Sequence, residues 1–200
     1  MIKRILSAVL ALGMAVMLSG CGYNAMQQNE EEVFAAWGNL EAALQRRADL
    51  IPNLVETVKA AAAHEKDTLT AVTEARAKAN QTRISPDMLS DKQALAKFQQ
   101  AQSGLSSALS RLMVVVERYP AIKANQNFLG LQHQLEGTEN RITVARTRYN
   151  EAVKKFNFSI RKFPNSLTNS IALNLERKEF YQADEGAKTA PKVDFGGSKS

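Results

Sequence analysis

Residues 128–163 read FLGLQHQLEGTENRITVARTRYNEAVKKFNFSIRKF. Phe128, Leu135, Ile142, Tyr149, Phe156 and Phe163 recur at a strict heptad interval, and Val153 and Ile160 fill the alternate position in the second half. Such a seam belongs to long helices lying side by side at a shallow angle. A strand would show alternation with a period of two instead. Pro164 reads as the stop of this helix, because the residue before proline avoids helical geometry.

Upstream, a third helix is expected from about Lys92 to Arg118. Its stripe is Leu95, Phe98, Leu105, Leu109, Leu112 and Val116, with polar Gln102 at one intermediate position. Tyr119-Pro120 ends it, and Ser85-Pro86-Asp87 marks the turn before it. A first helix is expected from Glu30 to Arg47, with Asn29 as N-cap and Glu30, Glu31 and Glu32 in the first turn, where negative charge suits the dipole. Val33, Trp37, Leu40 and Leu44 share one face of it.

Pro52 lacks the N–H a helix interior needs, so a break or kink is expected near Asp49–Pro52. The second helix then runs to about Asn80, with Leu54, Val55, Val58, Leu69 and Val72 inward. No useful β-alternation appears. The fold class read from this pattern is all-α: an antiparallel up-and-down four-helix bundle of long helices over residues 30–164. The alternative is that Pro52 only kinks one very long helix, leaving three. Residues 165–200 hold one amphipathic stretch around Ile171–Tyr181 and a Gly/Lys/Ser-rich end expected to be mobile.

The N-terminus carries an address. Lys3 and Arg4 precede an apolar run from Ile5 to Leu18, too short to span a bilayer comfortably but suited to a signal segment. Leu18-Ser19-Gly20-Cys21 resembles the lipobox of bacterial lipoproteins. That resemblance implies residues 1–20 as a cleaved signal, with cleavage between Gly20 and Cys21. It also implies diacylglyceryl and acyl chains (palmitate among them) on Cys21, with residues 21–29 as a short tether. Gly22 replaces the aspartate that commonly retains such lipoproteins in the inner membrane. The resemblance therefore points to the periplasmic face of the outer membrane in a host with two membranes.

Composition narrows the chemistry. The formal charge of +6 falls by two when Lys3 and Arg4 leave with the signal, too modest an excess to indicate nucleic-acid binding. The single cysteine excludes an intramolecular disulfide. His64 and His133 are the only histidines, and His64-Glu65 lacks the second histidine of a helical zinc site. No phosphate loop or nucleophile motif appears. We expect no enzyme, metal, cofactor or small-molecule substrate.

The mature chain resembles the LemA family of bacterial envelope proteins. The resemblance runs from Trp37 to about Phe195 and is densest at Arg46–Val55, Tyr119–Asn125, Leu135–Ile142 and Tyr149-Asn150. Phe163-Pro164 and Pro191-x-Val193-x-Phe195 complete it. Phe156-Asn157 departs from the Tyr-Asn that relatives often carry, which removes a hydroxyl but keeps the ring. The resemblance implies an antiparallel helical bundle attached to a membrane, in many relatives through an uncleaved helix; it supplies no biochemical activity.

Two sets of polar residues are candidate sites. Arg47, Asp49, Arg76, Glu139 and Asn140 form a candidate inter-helix network that fixes register, with Asp49 placed to cap the second helix. Arg141, Arg148, Lys155 and Lys162 repeat every heptad just before the seam residues, and Lys154 and Arg161 widen this basic ridge. In an up-and-down bundle the first helix starts where the fourth ends, so the tether would bring the ridge's lower end to the membrane. The argument fails if Pro52 only kinks a continuous helix. Two functions follow: a non-enzymatic tethered module docking a membrane-associated envelope protein, or a binder of anionic headgroups or cell-wall polymer through the ridge.

Overall fold

The computed structural model describes the backbone of residues 2–182, with side chains for Ile2, Arg4 and residues 22–182. The Gly/Lys/Ser-rich end, the Pro191-x-Val193-x-Phe195 pattern and the Cys21 side chain lie outside these. The described residues are all-α and form a helical bundle. Helix α1 spans Ile2–Lys59, α2 Lys66–Gln81, α3 Lys92–Val116, α4 Pro120–Lys123, α5 Gln126–Ser159 and α6 Asn165–Thr168. A 3₁₀ turn at Pro86–Ser90 precedes α3, and a π turn at Asn169–Leu173 follows α6. Among the described residues no helix is long and apolar enough to cross a membrane.

Helix α1 runs through Pro52 unbroken, against the expected break at Asp49–Pro52. The reason lies elsewhere in the chain. Proline cannot donate to the carbonyl four residues back, which is that of Ala48. Arg76 on α2 donates its Nε–H to that carbonyl at 2.7 Å. A guanidinium thus replaces the missing backbone donor, and the helix continues for two more turns. The chain reverses at residues 60–65 instead, so Leu54 and Val58 belong to α1. Asp49, in mid-helix, caps nothing; it accepts from Gln45 at 2.7 Å. The cap position of α2 falls to Glu65, whose carboxylate also accepts from Arg118 and Tyr119 and ties the reversal to the end of α3.

The other ends follow from local chemistry. Asp91 accepts from the N–H groups of Gln93 and Ala94 to start α3, and Asn125 accepts from Asn127 and Phe128 to start α5. Helix α5 stops at Ser159, before Pro164, because the buried Asn165 amide donates to the Ser159 carbonyl at 3.1 Å. Phe163 therefore leaves the seam: it lies past the helix end and is 84% exposed. The other five heptad residues are buried.

Helices α1 and α5 lie antiparallel along their common length. Arg47 meets Glu139, Trp37 meets Tyr149, Glu32 meets Lys155, and Gly22 meets Asn165. At the last of these a Cβ on Gly22 would lie 2.5 Å from Asn165 Oδ1, so any larger residue there would have to displace the Asn165 side chain. The start of the folded part and the end of α5 consequently share one end, here called the base. Helix α3 runs parallel to α1, with Phe98 on Trp37 and Gln102 on Arg47. Two apolar clusters result, one around Trp37, Tyr149 and Phe156 toward the base, the other around Leu54, Leu105 and Leu112 toward the far end.

Candidate functional site

Between the two apolar clusters sits Arg47, 2% exposed. Its guanidinium donates to Gln102 Oε1 at 2.8 Å, Ser106 Oγ at 2.9 Å and Glu139 Oε1 at 2.8 Å. This is why the α3 stripe is interrupted by a glutamine. Of the expected network, the structure brings Arg47 and Glu139 together. It sends Arg76 to the Ala48 carbonyl and leaves Asp49 and Asn140 outside, Asn140 on the walls of two surface grooves. Planar guanidinium geometry and three partners from two other helices fix the register of α1 against α3 and α5.

The six residues of the basic ridge are all exposed and stand in different settings. Arg141 and Arg148 are exposed on the α1–α5 groove, and Lys155 pairs with Glu32 at 2.7 Å. Arg161 and Lys162 lie past the end of α5, in the turn at the base, so the helical spacing does not extend to them. Lys154 is exposed on the last turns of α5. Both histidines are exposed. Among the described residues, no group of three or more His, Cys, Asp or Glu could hold a metal ion.

Sequence reasoning missed the most specific polar feature. Residues 175–182 are an extended strap laid between α5, α3 and the 3₁₀ turn. Asn150 donates to the carbonyl of Tyr181 and accepts from its N–H, both at 2.9 Å. Asn157 does the same for Lys178, again at 2.9 Å. Each side-chain amide thus imitates a neighbouring strand. The spacing is matched: a heptad of helix rises about 10.5 Å, and three residues of extended chain cover about 10 Å. Between the clamps the Glu179 N–H reaches the Leu89 carbonyl at 2.8 Å, and the Tyr149 hydroxyl donates to the Glu179 carbonyl at 2.8 Å. Burial, and then the nearby Glu179 carboxylate, push the Tyr149 phenol well above its usual range, so it stays a donor.

Lys178 is itself buried. Its ammonium pairs with Glu30 at 2.9 Å and lies over the rings of Phe34 and Phe156. This gives the phenylalanine at position 156 a role that needs no hydroxyl. The sequence signal was present in two asparagines a heptad apart, each beside a seam residue within a helix, where asparagine is a poor helix former. Replacing Asn150 and Asn157 together by alanine should free the strap while the bundle stays folded. Trypsin cleavage after Arg177 and Lys178 should speed up on the order of a hundredfold, from about 2–3 kcal/mol of lost hydrogen bonding. An unchanged cleavage rate would remove the clamp from the account.

These features define an all-helical bundle protein with an arginine-locked centre and a C-terminal strap held by side-chain amides. The LemA family model matches residues 36–195, and the chain belongs to the LemA family. The match includes the whole strap and begins within α1. Magnetosome proteins MamQ 1 and MamQ 2 of Paramagnetospirillum magneticum (strain ATCC 700264 / AMB-1) are each 29% identical over 206 residues, covering 94% of this chain and 74% of theirs. Magnetosome protein MamQ of Magnetospirillum gryphiswaldense (strain DSM 6361 / JCM 21280 / NBRC 15271 / MSR-1) is 27% identical over 144 residues, covering 64% of this chain and 53% of its own.

Proposed function

We propose that the chain is a non-enzymatic lipoprotein of the bacterial envelope that holds an antiparallel four-helix bundle at a membrane surface and docks a membrane-associated protein. Family membership and the MamQ relatives support membrane association. The lipobox-like Leu18–Cys21 supports lipid on Cys21, and Gly22 supports the outer membrane's periplasmic face where there are two membranes. The observation that carries the reading is the α1–α5 register. It ends at Gly22 against Asn165, so a lipid on Cys21 would seat the base on the bilayer and stand the α1–α5 face beside it.

That face carries a groove of about 1100 Å³. Ala35, Ala36, Ala42 and Ala43 line its α1 wall, and Glu32, Arg46, Asp49, Arg141 and Arg148 border it with both signs of charge. Small side chains and mixed charge suit a helix of a protein partner better than an anionic polymer. A second groove of about 710 Å³, between α3 and α5, mixes apolar residues such as Leu109, Met113 and Phe128 with polar ones such as Ser106, Gln132 and Glu136. Its carboxylates are engaged, Glu117 with Lys123, Glu136 with Gln132 and Glu139 with Arg47, which favours binding over acid–base chemistry.

Cys21→Ser should abolish incorporation of a clickable fatty-acid analogue. Each buried methylene contributes about 0.8 kcal/mol, so losing all the chains removes the lipid anchor. Continued labelling of the mutant would overturn the lipid on Cys21.

A further inference from the structure

The base of the bundle exposes more apolar surface than its fold requires. Phe158 on the last turn of α5 is 67% exposed, Phe163 84%, Leu167 57% and Ile171 75%. Leu167 and Ile171 are four residues apart on the short helical segment after the α5 turn, so they share a face. Arg161 and Lys162, both exposed, stand in the same turn. The segment is held in place: Asn165 is buried between Gly22 and the Ser159 carbonyl, and Leu173 and Leu175 pack on the core beside Phe156. Scattered apolar residues on a surface need no explanation, but a cluster at one end with cations in its midst does.

We propose that this cluster is a membrane-insertion patch that seats the base of the bundle in an anionic lipid surface. The proposal rests on the chain meeting the bilayer at Cys21, and it adds a second, non-covalent contact. Three observations choose a bilayer over a protein as the occupant. The patch is an exposed turn rather than a groove, its segment meets Gly22 through Asn165, next to the position that would carry the lipid, and its cations complement anionic headgroups. Aromatic and aliphatic side chains flanked by Arg and Lys are the composition of segments that lie in the interface. The patch would also explain why Phe163 keeps its ring while standing outside the core. With the lipid fixing position and the patch fixing tilt, the α1–α5 groove would face along the membrane rather than into it.

The test uses the full chain carrying its own modification, reconstituted into phosphatidylethanolamine vesicles with and without phosphatidylglycerol. Spin labels are placed through Phe163→Cys and Ile171→Cys, with Val114→Cys at the exposed far end of α3 as the control. All three positions are exposed, and circular dichroism melting confirms that each variant folds. The expected result is that labels at 163 and 171 are relaxed by oxygen but shielded from a water-soluble nickel chelate. Their depth should be about 5–10 Å below the headgroups and increase with phosphatidylglycerol, while the label at 114 shows the reverse pattern. Labels at 163 and 171 as open to nickel as that at 114, in protein that stays on the vesicles, would overturn the patch alone. Labelling of the native Cys21 thiol, with protein that washes off, would overturn the tether and the patch together.

Discussion

Glu139→Ala is expected to destabilise the bundle by about 3 kcal/mol, and adding Arg47→Met is expected to restore most of that loss. The asymmetry follows from where the two charges sit. Arg47 is buried, whereas Glu139 is half exposed and can be hydrated without its partner. Removing the carboxylate strands a cation between the two apolar clusters, with only Gln102 and Ser106 to solvate it. Water reaching the site past position 139 keeps the cost at the lower end of the range for broken buried pairs. Methionine fills most of the arginine's volume and needs no partner, so it removes the stranded charge together with its desolvation cost. Urea denaturation of the two variants checks this. If the double variant is no more stable than Glu139→Ala, Arg47 contributes mainly by shape and not as a charge.

The second large effect concerns Arg76 and Pro52. Arg76→Met should cost about 2 kcal/mol, because it leaves the Ala48 carbonyl without a donor inside the packed α1–α2 contact. In a Pro52→Ala background the same change should cost little, since the alanine N–H can bond that carbonyl itself. The two sites should therefore couple by about 1–2 kcal/mol in a double-mutant cycle. Equal costs in both backgrounds would mean that Arg76 stabilises the protein by another route. The cycle also bears on the architecture, because an α1 broken at Pro52 would shift the register of everything beyond it.

Much of the architecture was legible because apolar residues report their own burial. The stripes on α1 and α3 and five of the six heptad positions on α5 all lie inside, and Gln102 marked one of the partners of the buried Arg47. The errors arose where a local rule was answered from a distance. Pro52 does lack its donor, but Arg76, far along the chain, supplies one. The heptad count ran on to Phe163 because nothing in the spacing shows that Asn165 takes over the Ser159 carbonyl. The expectation that a continuous helix at Pro52 would turn the membrane argument around also fails, since the chain reverses at residues 60–65 and the two ends still meet at the base.

The candidate polar network was legible only in part. Arg47 and Glu139 have the length and charge to find one another across helices, but Asp49 is satisfied within its own helix by Gln45. The strap was legible only as an amphipathic stretch around Ile171–Tyr181: its backbone is recognised by side-chain amides, and such recognition leaves no mark in the strap's own sequence. Its clue lay in the helix that holds it, in the heptad repeat of Asn150 and Asn157.

The central claim is that this bundle docks a membrane-associated protein on its α1–α5 face, and photocrosslinking in living cells tests it most directly. A benzophenone amino acid is placed in turn at Ala36, Ala43 and Val144 on that face, and at Val114 on the far end of α3. One discrete adduct with an envelope protein is expected from the three groove positions, and none from Val114. Adducts from Val114 alone, or from none of the four positions in membrane-bound protein, would contradict it.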